Sequence, residues 1–195
     1  MSLPRYGVVL GRFQPLHLGH MEYLDAARRR CERLVVGITN PNVSAMTFNK
    51  ADPRRSEQEN NPFSYFVRHE MTDMALRGEG WDPGTFAIVP ADVNDTAWVA
   101  AFLPPRARTT VFITVYDAWG DEKVQRLRDL GFEVDVLWRR AMSERLTTGS
   151  EIRQLMRGGG SWQSLVPRGV SSYLEQFPWA KPYANELLED VKRKP

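Results

Sequence analysis

Two apolar runs of strand character bracket one short helical segment near the start of the chain, and that order constrains the fold more than any other feature. Tyr6 to Leu10 (YGVVL) reads as a buried strand and stops at Gly11. Gly19 to Arg30 then carries Met21, Leu24 and Ala27 at helical spacing, with Cys31 next in that spacing just beyond it, and Arg33 to Thr39 (RLVVGIT) is the next apolar run. Strand, helix, strand predicts a right-handed parallel βαβ unit.

The alternation continues. Thr85 to Pro90 (TFAIVP), Thr109 to Val115 (TTVFITV) and Phe132 to Trp138 (FEVDVLW) supply three further strands. A helix is expected from Phe63 to about Arg77, burying Phe63, Phe66, Val67, Met71, Met74 and Ala75. Asn61-Pro62 resembles its start, with Asn as N-cap and Pro at the first helical position. A short helix is expected around Asp95 to Phe102, and another from about Asp121 to Leu130, where Gly131 suits the C′ position. Ser150 to Arg157 and roughly Pro167 to Phe177 complete the helices, before a charged segment from Tyr183. The expected fold is α/β: a Rossmann-like, doubly wound sheet of about five mainly parallel strands with C-terminal helices. It divides into a domain over 1–178 and a helical tail over 179–195. Sheets of this kind bind ligands at the carboxyl ends of the strands, beside the switch point.

Composition excludes several classes. The 195 residues are 42% hydrophobic and 26% charged, enough for one domain with a real core. A net charge of +2 gives no bulk reason to expect a nucleic-acid partner, and clusters such as Arg28-Arg29-Arg30 and Arg139-Arg140 read as solvated surface. The single Cys31 excludes an intrachain disulfide and a cysteine-based zinc cluster. No apolar run approaches the ~20 residues of a membrane span. The start, Met1 to Tyr6, lacks a signal-peptide layout, so a reducing cytoplasm is the expected compartment.

The densest site signal follows the first strand: Gly11-Arg12-Phe13-Gln14-Pro15-Leu16-His17-Leu18-Gly19-His20. His17 and His20 stand three apart as a helix begins, so both imidazoles can face one point. The helix N-terminus behind them favours phosphate, and imidazole donors there can serve oxygens that gain charge at a phosphorus under attack. The plain alternative is capping or packing. A metal site is the other, with His69 as the only further histidine. A second signal is Thr147-Thr148-Gly149-Ser150-Glu151-Ile152-Arg153. Thr148 or Ser150 can cap a helix or donate to phosphate, and Arg153 can reach the same anion or lie on the surface. Asn40 to Asn61 is a long polar interruption, the kind of segment that is functional or disordered in a compact domain.

GRFQPLHLGH with a distal TGSEIR resembles the HxGH nucleotidyltransferases, with Thr148 to Arg153 at the place of their ISSTxxR-like motif. The chain is similar to the archaeal-type nicotinamide-nucleotide adenylyltransferases, a likeness that extends through Asn61-Pro62-Phe63, Trp98 and Gly159–Pro167 and covers most of residues 6–177. The resemblance implies an enzyme without a covalent intermediate: an acceptor phosphate oxygen attacks the NTP α-phosphorus in line, and Mg-pyrophosphate leaves. It implies catalytic roles for His17, His20 and Arg153, and nucleotide contacts from Gly11, Arg12, Phe13, Gly19, Thr148, Gly149 and Ser150. Mg²⁺ is expected to travel on the phosphates, since the chain offers no dedicated carboxylate cage.

Two stretches depart from the adenylyltransferase pattern. Asn40–Asn61 is longer and richer in arginine, and Tyr116-Asp117-Ala118-Trp119-Gly120 stands after the fourth strand in place of a short Ser-Gly-Asn type of turn. Both look like the CTP-dependent cytidylyltransferases of phosphonate pathways, which activate acids such as phosphonoformate. CTP with a small phosphonate or phosphate acceptor is therefore favoured over ATP with nicotinamide mononucleotide. A nucleotide-binding sensor without turnover is the alternative of another class. Asn40, Lys50, Arg54, Arg55, Arg68 and Trp98 are acceptor candidates, and Tyr116 and Asp117 nucleotide candidates. Asp117 could equally cap the following helix, and Trp98 and Trp119 could stack on a ring or simply pack. The expected partners are the NTP and the acceptor, with neither nucleic acid nor membrane; a homo-oligomer stays open.

Overall fold

In a computed structural model of the chain, residues 3–42, 58–92, 99 and 101–176 are described. Five strands form one sheet: β1 (Tyr6–Gly11), β2 (Arg33–Thr39), β3 (Phe86–Ala91), β4 (Thr109–Val115) and β5 (Glu133–Arg139), in the order β3-β2-β1-β4-β5. Every pairing is parallel, and β1 runs beside β2 from Tyr6↔Arg33 to Gly11↔Ile38. The doubly wound reading of the sequence is the fold. The central strands can be read as unbroken apolar runs because both faces are covered: Val8 and Val9 are each 0% exposed.

Alternation along each strand divides the interior in two. Val9, Leu34, Val36 and Ile38 point to the face covered by α1 (Leu18–Arg28), α2 (Tyr65–Gly78), α4 (Gly149–Gly158) and α5 (Arg168–Gln176). Val8, Leu10, Val35, Val111 and Ile113 point to the other, where α3 (Ala118–Asp129) contributes Val124 and Leu127. Both loops that follow β1 and β4 thus emerge at the same edge of the sheet, one leading to each face.

Local chemistry moved some boundaries. The N-cap of α2 is Ser64, whose hydroxyl accepts from Val67 N, rather than Asn61, which is fully buried. Starting the helix at Tyr65 turns Phe66 outward to 58% exposure, against the expectation that it is core. α3 starts at Ala118, earlier than the apolar pattern indicated, because the carboxylate of Asp117 caps it by accepting from Gly120 N at 3.0 Å. β3 starts at Phe86, after a 3₁₀ turn over Pro83–Thr85. Among the described residues no helix is long and apolar enough to cross a membrane. The tail over 179–195 and most of the helix expected around Asp95 lie outside the described residues.

Candidate active site

A cavity of about 270 Å³ opens at the carboxyl ends of β1 and β4, the switch point of the sheet. Its wall includes Gly11, His17, His20, Asp117, Arg145 and Arg153, so both sequence motifs and the turn after β4 meet there.

The histidines are held by the helix start itself. His17 is the N-cap of α1, and its Nδ1 accepts from His20 N at 3.3 Å. In a neutral ring this leaves the proton on Nε2, a donor. The two imidazoles stack, with centroids 3.7 Å apart and planes inclined by 26°, and Phe13 meets His20 edge-on at 4.9 Å. Burial, then the charges of Arg145 and Arg153, pushes His17 down to about 3. Burial also holds His20 well below its ordinary value, with His17, Arg12 and Arg145 adding to it. His20 Nδ1 is shielded from solvent and has no hydrogen-bond partner. Gly19 leaves little room for a side chain: a Cβ there would stand 3.3 Å from the His17 ring.

The second motif closes against the first. Thr148 and Glu151 form a capping box at the start of α4: Thr148 Oγ1 accepts from Glu151 N, and Glu151 Oε2 accepts from Thr148 N and Thr147 Oγ1. A Cβ on Gly149 would stand 2.8 Å from the Gln14 carbonyl, so only glycine lets the helix approach the β1 loop this closely. Arg153, 4% exposed, donates to Gln14 O at 2.6 Å, to Asn60 Oδ1 at 2.7 Å and to Ser150 Oγ at 3.1 Å. Arg153 is thus partly a tie between elements, while its place in the cavity wall and its charge bear on the site.

Arg68 requires a correction. As an acceptor candidate it fails, because it is 0% exposed and its guanidinium is spent at the carboxyl ends of β1 and β2. Its guanidinium donates to Arg12 O at 2.9 Å, Thr39 O at 2.7 Å and Asn40 O at 2.7 Å, with a further bond to Ser64 O. The first three carbonyls adjoin or belong to Phe13 (φ 49) and Asn40 (φ 52), which among the described residues are the two non-glycine residues in the left-handed region. Such conformations cost about 1–3 kcal/mol each and persist where neighbours over-determine them. Arg68 is that neighbour at both strand ends. A lone sequence position cannot distinguish an arginine facing substrate from one facing backbone carbonyls. Among the described residues the cavity is lined by Thr39 and not by Asn40 or Arg68.

The turn after β4 carries several residues. Tyr116, Asp117 and Trp119 all line the cavity, with Asp117 also capping α3. Tyr116 Oη accepts from Trp138 Nε1 at 2.9 Å, and Arg145 lies over its ring at 4.4 Å. Lys50, Arg54, Arg55 and Trp98 lie outside the described residues.

Several residues at the site have roles to which the sequence pattern did not point. Gln14 pins the segment before α2 by accepting from Phe63 N at 2.9 Å and donating to Phe63 O at 3.0 Å. Tyr23 accepts from Leu10 N and donates to Phe112 O, joining β1 to β4. Lys123 donates to Leu10 O at 3.1 Å. Thr147 and Arg145 complete the wall. Gln14 and Thr147 lie inside the two motifs themselves, and Arg145 is a cation just ahead of the second, in the loop leaving β5.

The arrangement sets two neutral imidazoles and the three arginines Arg12, Arg145 and Arg153 round one small space. It suits a polyanion whose charge shifts during reaction, not a metal cage. The comparisons agree with this chemistry. Residues 8–83 match the model of the cytidylyltransferase-like family. The chain is 41% identical to the phosphonoformate cytidylyltransferase of Streptomyces viridochromogenes, across 87% of this chain and 90% of that one. It is 33% identical to the nicotinamide-nucleotide adenylyltransferase of Methanoculleus marisnigri, across 88% and 90%. In fold it is similar to a bifunctional NMN adenylyltransferase/ADP ribose pyrophosphatase from Francisella tularensis, with a TM-score of 0.64 at 17% identity. That similarity covers 97% of this chain and 54% of the longer one. The chain belongs to the cytidylyltransferase-like family of nucleotidyltransferases.

Proposed function

We propose that the protein transfers the CMP group of CTP to a small phosphonate of the phosphonoformate type and releases pyrophosphate. The observation that carries this reading is the 41% identity to phosphonoformate cytidylyltransferase along nine-tenths of that enzyme. The lining by Tyr116, Asp117 and Trp119 of a cavity shared with the histidine pair supports it. This is the turn in which the sequence departs from the adenylyltransferases.

The chemistry follows from the charges. A phosphonate oxygen, already ionised, attacks the α-phosphorus and forms the new P–O bond. The bond from that phosphorus to the bridging oxygen of pyrophosphate breaks, and the electron pair leaves with pyrophosphate. No base is required. The residues contribute positioning and stabilisation of charge. His17, with its proton on Nε2, donates to an oxygen that gains charge. His20, stacked on it, keeps that ring in place and adds a second donor. Arg153 and the N-terminus of α4 face the outer phosphates. Among the described residues no group of three or more His, Cys, Asp or Glu could hold a metal, and the cavity's Asp117 is already capping α3. Mg²⁺ is accordingly assigned to the phosphates of the nucleotide substrate. Lys50, Arg54 and Arg55 stay candidates for the acceptor's charges.

The second reading is adenylylation of nicotinamide mononucleotide, favoured by the 33% identity to the Methanoculleus enzyme. Phosphorus NMR of a reaction with CTP and phosphonoformate separates the two. The first reading requires the paired resonances of a mixed phosphonate–phosphate anhydride together with free pyrophosphate. An unchanged CTP spectrum, alongside NAD formed from ATP and nicotinamide mononucleotide, requires the second.

A further inference from the structure

Arg145 belongs to neither motif, yet it stands where both histidines converge. It occupies the loop between β5 and α4 and forms part of the cavity wall. Its guanidinium carbon lies 4.4 Å from the centroid of Tyr116, an aromatic face that is itself fixed by the bond from Trp138. A guanidinium held over an aromatic face keeps its planar fork of N–H donors, a donor set that suits a phosphoryl oxygen.

Two observations separate Arg145 from an ordinary surface arginine. Its neighbours Arg139 and Arg140 each pair with a carboxylate, Asp121 and Glu22 respectively. Among the described residues Arg145 has no such partner, and its Nε is shielded from water and donates to nothing. Its charge also bears on both imidazoles, lowering the proton affinity of His17 and His20 alike. A cation set against two potential cations, with an unspent N–H, is unfavourable in the free protein. An anion between the three groups relieves the repulsion and takes the donor.

We propose that Arg145 is a catalytic residue that holds a non-bridging oxygen of the α-phosphoryl group against the His17–His20 pair. This rests on the nucleotidyltransferase reading of the site. Arg153, already bonded to Gln14 and Asn60, is left to the outer phosphates. No proton moves through Arg145. As the acceptor's P–O bond forms and the bond to pyrophosphate breaks, negative charge on the α-phosphoryl oxygens is met by a guanidinium that needs no reorganisation.

The test uses Arg145→Ala and Arg145→Lys, with His17→Ala in parallel, on CTP and on the Rp and Sp isomers of CTPαS with phosphonoformate. Turnover of R145A should fall by about a hundredfold, with R145K in between. The Rp/Sp preference should change by about tenfold in both, since one non-bridging oxygen has lost its partner. Independently of turnover, NMR titration of the imidazoles should show the His17 and His20 midpoints rising in R145A. R145A at wild-type rate, or a slower R145A with unchanged Rp/Sp preference and unmoved histidine midpoints, would overturn the proposal. If R145A fails to fold, the Rp/Sp preference of R145K decides alone. Wild-type turnover by His17→Ala is the separate result that would defeat the site reading itself.

Discussion

The imidazole of His17 lies on that of His20 at 3.7 Å, inclined by 26°, while the His20 backbone N–H is donated to His17 Nδ1. Stacking and capping come from the same three-residue spacing: the N-cap side chain folds over the first turn and covers the next histidine. Two rings so close cannot both ionise at neutral pH, so the free site holds two neutral donors beside Arg145 and Arg153.

His17→Ala or His20→Ala should reduce kcat by about a hundredfold or more, in line with loss of one transition-state donor. His17→Ala also removes the cap of α1 and should cost about 1 kcal/mol of stability. Steady-state kinetics with urea unfolding separates these effects. Both variants turning over at wild-type rate would remove the histidines from the chemistry.

Stability should depend on pH through this pair. A histidine titrates near 6.5 when unfolded and near 3 at position 17 in the folded protein, so the unfolded chain binds more protons between those values. The stability held by the neutral rings is therefore complete above about pH 6.5 and is lost as pH falls toward 3. The slope should be at most about 1.4 kcal/mol per pH unit for each ring. Urea midpoints of the free protein at pH 7.5 and pH 5, compared with a His17→Gln/His20→Gln variant, measure it. An equally steep decline in that variant would place the acid sensitivity elsewhere.

Arg153→Ala should weaken nucleotide binding and turnover together and also lower stability, because it releases Gln14 O and Asn60 Oδ1 as well as the phosphate contact proposed for it. Calorimetric titration with CTP, beside a thermal melt, reads both. Unchanged affinity and turnover with a lowered melting temperature would make Arg153 a strut alone.

Arg68→Met should cost about 3 kcal/mol, since it orphans the carbonyls of Arg12, Thr39 and Asn40 at the strained ends of β1 and β2. Wild-type urea stability would show that those loops hold without the clamp. Activity in this variant should fall through misplacement of Phe13 and His20, not through loss of an acceptor contact.

The parallel sheet was legible because Val8–Leu10, Val35–Ile38 and Val111–Ile113 are buried from both faces and read as apolar runs. The histidine pair and Gly149–Arg153 were legible because each motif lies within a few residues of one helix start. What escaped is long-range. Gln14 reaches Phe63 and Arg68 reaches three carbonyls of two other loops, pairings to which no local pattern points. The start of α2 escaped because Asn61-Pro62 and Ser64 are both good caps, and burial of Asn61 decided for Ser64. Arg145 escaped because a single cation in a polar loop is ordinary until a fold brings histidines beside it.

The most direct measurement is the rate of pyrophosphate release by the wild-type protein with each NTP, against phosphonoformate and against nicotinamide mononucleotide. Release should be fast with CTP and phosphonoformate and slow or absent with ATP and nicotinamide mononucleotide. The reverse would transfer the protein to the adenylyltransferases. Silence with every pair, despite tight NTP binding, would make it a nucleotide sensor and contradict the catalytic role of the His17–His20 pair.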